Sequence, residues 1–358
     1  MDFKLSGEQA LIKDSVERFA AQPLPPDPWS EFAKLGWLAI GAPEELGGFG
    51  GAIERLLVLE AFGRGLCLAP FASCAVFPSA ILRAAGRNDL LERLIEGERF
   101  AVAYEEPQGT TTRAQYHNGA YVVSGRKIRT PVPSGDAGFI VSAKADEGIC
   151  LFLVPHGTRG MRRVDFVAED GTNVTELTLD GVASDAPLGS LEHLRIGLEH
   201  AVAAVCAEAV GVMSAMFEMT LQYLKERTQF GVPIGSFQAL QHRMADMFTE
   251  LELARSMAYL AAMTVDGEKD AAARAKAISG AKVQVAKSGR FVGQNAIQLH
   301  GAIAMTEEYR LGAYFKRMTV LERLYGDLDY HLASYVMPSV AAKPRSRGTA
   351  DIPSLQPI

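Results

Sequence analysis

The residues best equipped for chemistry lie in Arg227-Thr-Gln-Phe230-Gly-Val-Pro-Ile-Gly-Ser-Phe-Gln238. A guanidinium takes phosphate oxygens two at a time, a phenyl ring offers a flat face, and an amide both donates and accepts, which suits a planar ligand carrying phosphate. Spacing alone also permits a helical hairpin with a solvated charge, because arginines are common near helix ends. Other chemistries have less to stand on. Cys67, Cys74, Cys150 and Cys206 lack metal-ligand or paired spacing and sit in apolar surroundings, so they read as packing residues in a reducing compartment, with no metal site. Gly47-Gly48-Phe-Gly50-Gly51 lacks the strand before it and the lysine after it that a phosphate loop needs, and reads as a plain loop.

The elements that must position the arginine stretch are helical on both sides. Pro233 blocks helix continuation and the flanking glycines permit a turn, so two long helices meet at a corner there. Length bounds the rest: 358 residues, 48% of them hydrophobic, support two or three packed units. A net charge of −6 without a basic block argues against a nucleic-acid surface. The apolar run Ala201 to Phe217 is Ala-rich, carries Glu208 and is short for a membrane span, so it reads as a buried helix. The first residues resemble neither a signal peptide nor a transit segment, and a cytoplasmic protein is expected.

Three textures follow one another along the chain. Residues 1–97 are helical in pattern, with Ser6 and Gln9 as a start signal and Pro23 to Pro26 as a stop. Residues 98–187 carry short β-rich runs at Phe100 to Tyr104, Ala120 to Ser124, Phe139 to Ala143, Cys150 to Pro155, Arg163 to Val167 and Val174 to Leu179, which imply a small antiparallel sheet or barrel. Residues 188–340 return to long helices. Met244, Met247, Leu251, Ala254, Ala258 and Ala261 share one seam of a bundle helix, and Ile278, Ala281, Val285, Val292 and Leu299 share another. The tail, 341–358, is too polar and Pro-rich for a core and is expected to be loose.

The corner, together with the following His242-Arg-Met-Ala-Asp-Met247, resembles the flavin-contacting corner of acyl-CoA dehydrogenases, and the resemblance runs through the helix–strand–helix order. It implies an α+β fold with an N-terminal helical domain, a middle antiparallel β domain and a C-terminal four-helix bundle. FAD, an acyl-CoA substrate and an electron-transfer flavoprotein or similar acceptor come with it. So does a homo- or hetero-oligomer, dimer or tetramer, with another chain of this family. Arg227, Phe230 and Gln238 would contact FAD held largely by a neighbouring subunit. Gln298-Leu-His-Gly301 matches a second FAD-contacting segment whose last glycine is here Ala302. Glu106-Pro107 and Thr130 match segments placed against the flavin ring, whose stacking tryptophan is missing.

The catalytic base is where the sequence departs. The family's glutamate falls on Tyr325, and the alternative site on Ala201 and Val202. A phenol with an ordinary pKa near 10 is a poor base for an α-proton. Asp327, Glu322, Glu199 and His200 lie within a few turns of those positions, and Asp327 is the leading substitute. Leu324-Tyr-Gly-Asp327-x-x-Tyr-His331 resembles a divergent branch whose members pair with a base-bearing subunit. Three readings result: a self-sufficient dehydrogenase with a relocated base, a partner subunit completing an FAD site, and a scaffold without flavin.

Overall fold

The computed structural model describes residues 5–341, so the expectation of a loose tail falls outside the described residues. Within them the chain forms two compact units, one of residues 5–26, 50–68 and 202–340, the other of 27–49 and 69–201.

The first unit is helical. Helix α1 (Gly7–Ala20) starts at a capping box in which the Ser6 hydroxyl accepts from Gln9 N and the Gln9 amide oxygen accepts from Ser6 N. Between α1 and the next helix of this unit, α2 (Pro28–Lys34) belongs to the other unit. Helix α3 (Ala52–Gly65) begins right after the glycine loop. Its first amides are already occupied: Gly51 N donates to Glu54 and Ala52 N to Asp266, each at 2.6 Å. Two carboxylates already sit at this helix start, so a phosphate there would meet like charge.

Seven further α-helices are found among the described residues. Helices α4 (Phe77–Ala84) and α5 (Asn88–Ile95) lie in the second unit, α4 preceded by a π-turn at Ala72–Val76. Helix α6 (Leu191–Glu226) is 36 residues long, with an apolar window 94% buried inside the protein, which fits a core helix. Helices α7 (Gln238–Gly267) and α8 (Ala271–His300) pack antiparallel after a short connection, followed by α9 (Leu311–Arg323) and α10 (Leu328–Ala341). The expected seams are buried from Met244 to Ala261 and from Ile278 to Leu299, whereas Phe237 and Leu240, expected to begin the first seam, are exposed and half-buried because the chain is still leaving the corner there. Close approach is built in where α3 meets α6: a side chain at Gly63 would meet the Glu208 carbonyl at 2.0 Å, and one at Gly211 the Glu60 carbonyl at 1.9 Å. A buried Arg317–Glu208 ion pair fastens α9 to the same helix.

The second unit carries the sheet, in the order β6-β7-β3-β2-β4-β5-β8, with β1 beside β4. Its strands are β1 (Phe100–Ala103), β2 (Arg113–His117), β3 (Ala120–Pro131), β4 (Gly138–Ala145), β5 (Gly148–Val154), β6 (Met161–Val167), β7 (Asn173–Ser184) and β8 (Gly189–Ser190). Pairing is antiparallel except for β1 and β2 against β4, which are parallel, so the purely antiparallel expectation needs that correction. Strand β2 escaped the sequence because Arg113-Ala-Gln-Tyr-His is polar and mostly exposed. A bulge between Lys127 and Thr130 in β3 puts Arg129 at φ 49°.

The glycine pair makes a prediction. Gly211→Val drives a branched side chain into the Glu60 carbonyl and is expected to cost about 3 kcal/mol, read from denaturant unfolding; a loss within error of zero would mean that α3 and α6 have room to separate.

Candidate functional site

Sequence reading placed the corner between two helices, and the structure inserts a small hairpin there. Strands β9 (Thr228–Gln229) and β10 (Val232–Pro233) pair antiparallel across a two-residue loop, Phe230-Gly231. Both loop residues have positive φ, 54° and 81°, as a type I′ turn requires. Glycine takes this conformation freely, whereas an aromatic residue there costs of order 1–3 kcal/mol. The strained Phe230 is also 91% exposed, touched edge-on by Phe237 at 6.2 Å. A strained backbone holding a bare ring outward stabilises nothing within the chain.

Arg227 sits at the base of this hairpin. Its N–H closes the last turn of α6 on Tyr223 O at 2.8 Å, and its carbonyl accepts from Ile234 N at 2.8 Å. Its guanidinium is exposed and has no hydrogen-bond or ion-pair partner among the described residues. Gln238, first residue of α7, is exposed as well.

The second expected segment ends α8. Gln298 is exposed, and Gly301 stops the helix at φ 67° and ψ −143°, a combination open essentially to glycine. The space where its side chain would be is empty for 4 Å. His300 between them is buried, and Tyr223, one turn before Arg227, stacks on it at 4.5 Å. The structure therefore brings the two expected FAD-contacting segments together through the Tyr223–His300 contact.

The base positions look different. Tyr325 is 5% exposed, at φ 63° in the turn between α9 and α10. Asp327, the substitute base, is a helix cap: its carboxylate accepts from Tyr330 N at 2.9 Å, in the N-cap geometry for α10. The carboxylate expected as substitute base is thus engaged at a helix start. Glu322 is ion-paired with Arg290. In the other unit, Ala201 is fully buried and His200 lies 3.4 Å from Arg83.

Beneath the Tyr325 turn lies a polar cluster that sequence reading missed. The His331 ring approaches the Tyr325 carbonyl through Nε2 at 3.1 Å and the Ser279 hydroxyl through Nδ1 at 3.3 Å. A carbonyl only accepts, so Nε2 carries the proton and Nδ1 receives one from serine. Burial, helped by the nearby Lys282, drives the His331 pKa down from 6.5 to about 3. Lys282, itself buried, donates to the Leu321 carbonyl, and burial lowers its pKa to about 8. The signal was there: Lys282 falls four residues after Ile278 and three before Val285, on the buried seam.

In the strand unit, Glu106 faces inward. Its Oε1 takes Lys127 Nζ at 2.6 Å and Thr112 N at 2.9 Å, and Lys127 has no exposed side-chain surface. Burial lowers the Lys127 pKa, against the opposing pull of Glu106. Its place was legible from two-residue alternation with the buried Val123. The carboxylate expected against the flavin thus neutralises a buried ammonium. Glu105, its neighbour, pairs instead with the exposed Arg129 at 2.8 Å. Thr130 is buried, its hydroxyl 3.5 Å from the Ile128 carbonyl.

Helices, a sheet and helices follow one another along the chain. Residues 6–98 match the acyl-CoA dehydrogenase N-terminal domain and residues 193–336 the C-terminal domain. The chain is 30% identical to an L-prolyl-[peptidyl-carrier protein] dehydrogenase of Serratia, over 89% of this chain and 93% of that one. Among solved structures it is similar to the Tcur3481-Tcur3483 steroid ACAD G363A variant, with a TM-score of 0.82 and 28% identity over 93% of this chain and 97% of that one. It is also similar to the FAD complex of PigA, with a TM-score of 0.85 and 26% identity over 95% and 99% of the two chains. The chain belongs to the acyl-CoA dehydrogenase family, and is an oxidoreductase of that class.

Two predictions follow from the turn. Between pH 3 and 6.5 the unfolded chain binds a proton that folded His331 refuses, so its contribution is complete above 6.5 and is lost as the pH falls through that window. Urea unfolding at several pH values should find that His331→Gln flattens this acid slope; an unchanged slope would place the proton elsewhere. Asp327→Ala should cost about 1 kcal/mol through the lost cap while Asp327→Asn costs little; equal losses in thermal melts would refute the capping role.

Proposed function

We propose that this chain is an FAD-dependent acyl-CoA dehydrogenase subunit that works in a homo- or hetero-oligomer with another chain of its family. The observation that carries the reading is the hairpin: a guanidinium without a partner among the described residues, beside a strained, exposed phenyl ring. Arg227, Phe230 and Gln238, with Gln298 and Gly301, have the chemistry to hold FAD, the guanidinium and the open glycine corner serving its diphosphate. FAD, when bound, accepts the hydride leaving the β-carbon of an acyl-CoA thioester. Thr130 of the strand unit is the residue we assign to the flavin ring, while Glu106 supports that segment from inside through Lys127.

A second reading has its own support. The position of the family's carboxylate carries the buried Tyr325, and Asp327 is spent on a helix cap. A chain without a base near neutral pH would serve as the partner that completes a site in a base-bearing subunit. The Tcur3481-Tcur3483 steroid ACAD, named for two chains, favours this arrangement by analogy. We assign the chain to the cytosol, in keeping with four buried free cysteines, and take an electron-transfer flavoprotein as the acceptor.

The test is optical. The purified protein should absorb between about 350 and 500 nm as flavin does, and Arg227→Ala should lose far more flavin than Asp327→Ala. Bleaching by a panel of acyl-CoAs would favour a self-sufficient enzyme; flavin that no acyl-CoA bleaches would favour the partner subunit. A colourless protein that takes up no added FAD would sink both.

A further inference from the structure

At the end of α8 three rings from three segments close on one another. Tyr223 of α6 lies flat against His300, with ring centroids 4.5 Å apart and planes 25° apart, and Tyr309 covers another side at 5.1 Å. His300 Nδ1 is 2.8 Å from the Ala296 carbonyl and Nε2 is 3.0 Å from the Tyr309 hydroxyl. The Ala296 carbonyl has no proton to give, so Nδ1–H donates to it and Nε2 accepts from Tyr309, with the Met219 backbone also against the ring. Burial holds the imidazole below its ordinary pKa and pushes the Tyr309 phenol up, so donor and acceptor keep these roles near neutral pH.

Any buried neutral imidazole needs a partner at each nitrogen, so what sets this one apart is its place. This one joins the two segments assigned above to the diphosphate. Tyr223 holds the Arg227 N–H through its carbonyl, His300 sits between Gln298 and Gly301, and Tyr309 stands at the entrance to α9. The ligand-facing groups on either side are exposed, while the ring between them is 4% exposed.

We infer that His300, clamped between Tyr223 and Tyr309, is a positioning residue that fixes the Arg227 hairpin relative to the Gly301 corner so that both reach one diphosphate. The inference rests on the FAD reading given above. A doubly charged ligand gripped from two sides loses affinity when one grip shifts, since its contacts are made only in one geometry. Tyr309→Phe keeps the ring contact and removes the hydrogen that Tyr309 gives to Nε2. His300→Gln retains an acceptor in about the place of Nε2, and His300→Leu retains none.

The experiment strips flavin from the purified oligomer, titrates it back with FAD by fluorescence quenching, and records the melting temperature of each flavin-free variant. Tyr309→Phe is expected to raise the FAD Kd about five- to tenfold, with His300→Leu at least as weak and His300→Gln restored to near the wild-type value. Flavin-free melting temperatures of Tyr309→Phe and His300→Gln should stay within about 2 °C of wild type. Wild-type Kd in Tyr309→Phe, with or without a lowered melting temperature, would overturn the inference and leave His300 as core packing. Should His300→Leu fail to fold, Tyr309→Phe and the glutamine rescue decide alone. A wild-type protein that binds no FAD sinks the cofactor reading itself. Normal wild-type binding, weak binding in Arg227→Ala and normal binding in Tyr309→Phe sink only the clamp.

Discussion

A backbone carbonyl or amide left over where a helix stops inside a protein must find a partner, and much of the helical unit is arranged around that requirement. Each of the segments with functional interest is a helix ending. The last turn of α6 closes through Arg227 N on Tyr223 O. The end of α8 closes through His300 on Ala296 O, and the end of α9 through Lys282 on Leu321 O and His331 on Tyr325 O. The partners at the last two are buried side chains that must stay neutral, or hold their charge at a cost. Helix endings satisfied from below leave their upper surfaces free for a ligand.

This explains why the chain tolerates so much unusual backbone in few places. Phe230, Tyr325 and Gly301 all have positive φ, and all lie within one to four residues of such an ending. At Gly326 a side chain would collide with the Tyr330 and His331 rings, at 2.5 and 2.9 Å, so the glycine follows from the histidine rather than from the turn alone. The strand unit solves an analogous problem by alternation. Adjacent carboxylates Glu105 and Glu106 turn to opposite sides, one to the exposed Arg129 and one to the buried Lys127.

Periodicity made most of the seams of α7 and α8 legible, and turn chemistry located the break between α6 and α7 without its hairpin, because apolar spacing and Pro-Gly punctuation are local properties. Strand β2 was invisible because its residues are polar and only its pairing makes it a strand. The capping role of Asp327 was hidden for a different reason. A carboxylate before a helix serves as cap or base with the same composition, and only the 2.9 Å contact to Tyr330 N separates them. Likewise the Arg227 motif could be read from residue types, whereas the ring cluster around His300 joins positions 223, 300 and 309, which no window along the chain spans.

All four cysteines are buried and unbridged, and burial raises the thiol pKa of Cys74, Cys150 and Cys206. Sulfur reacts with oxidants and alkylating agents as thiolate, so these three present almost none at neutral pH. A redox protein that lets an occasional electron escape to oxygen would make peroxide at its own doorstep. This chain keeps its thiols behind packed hydrocarbon, where such by-products reach them with difficulty.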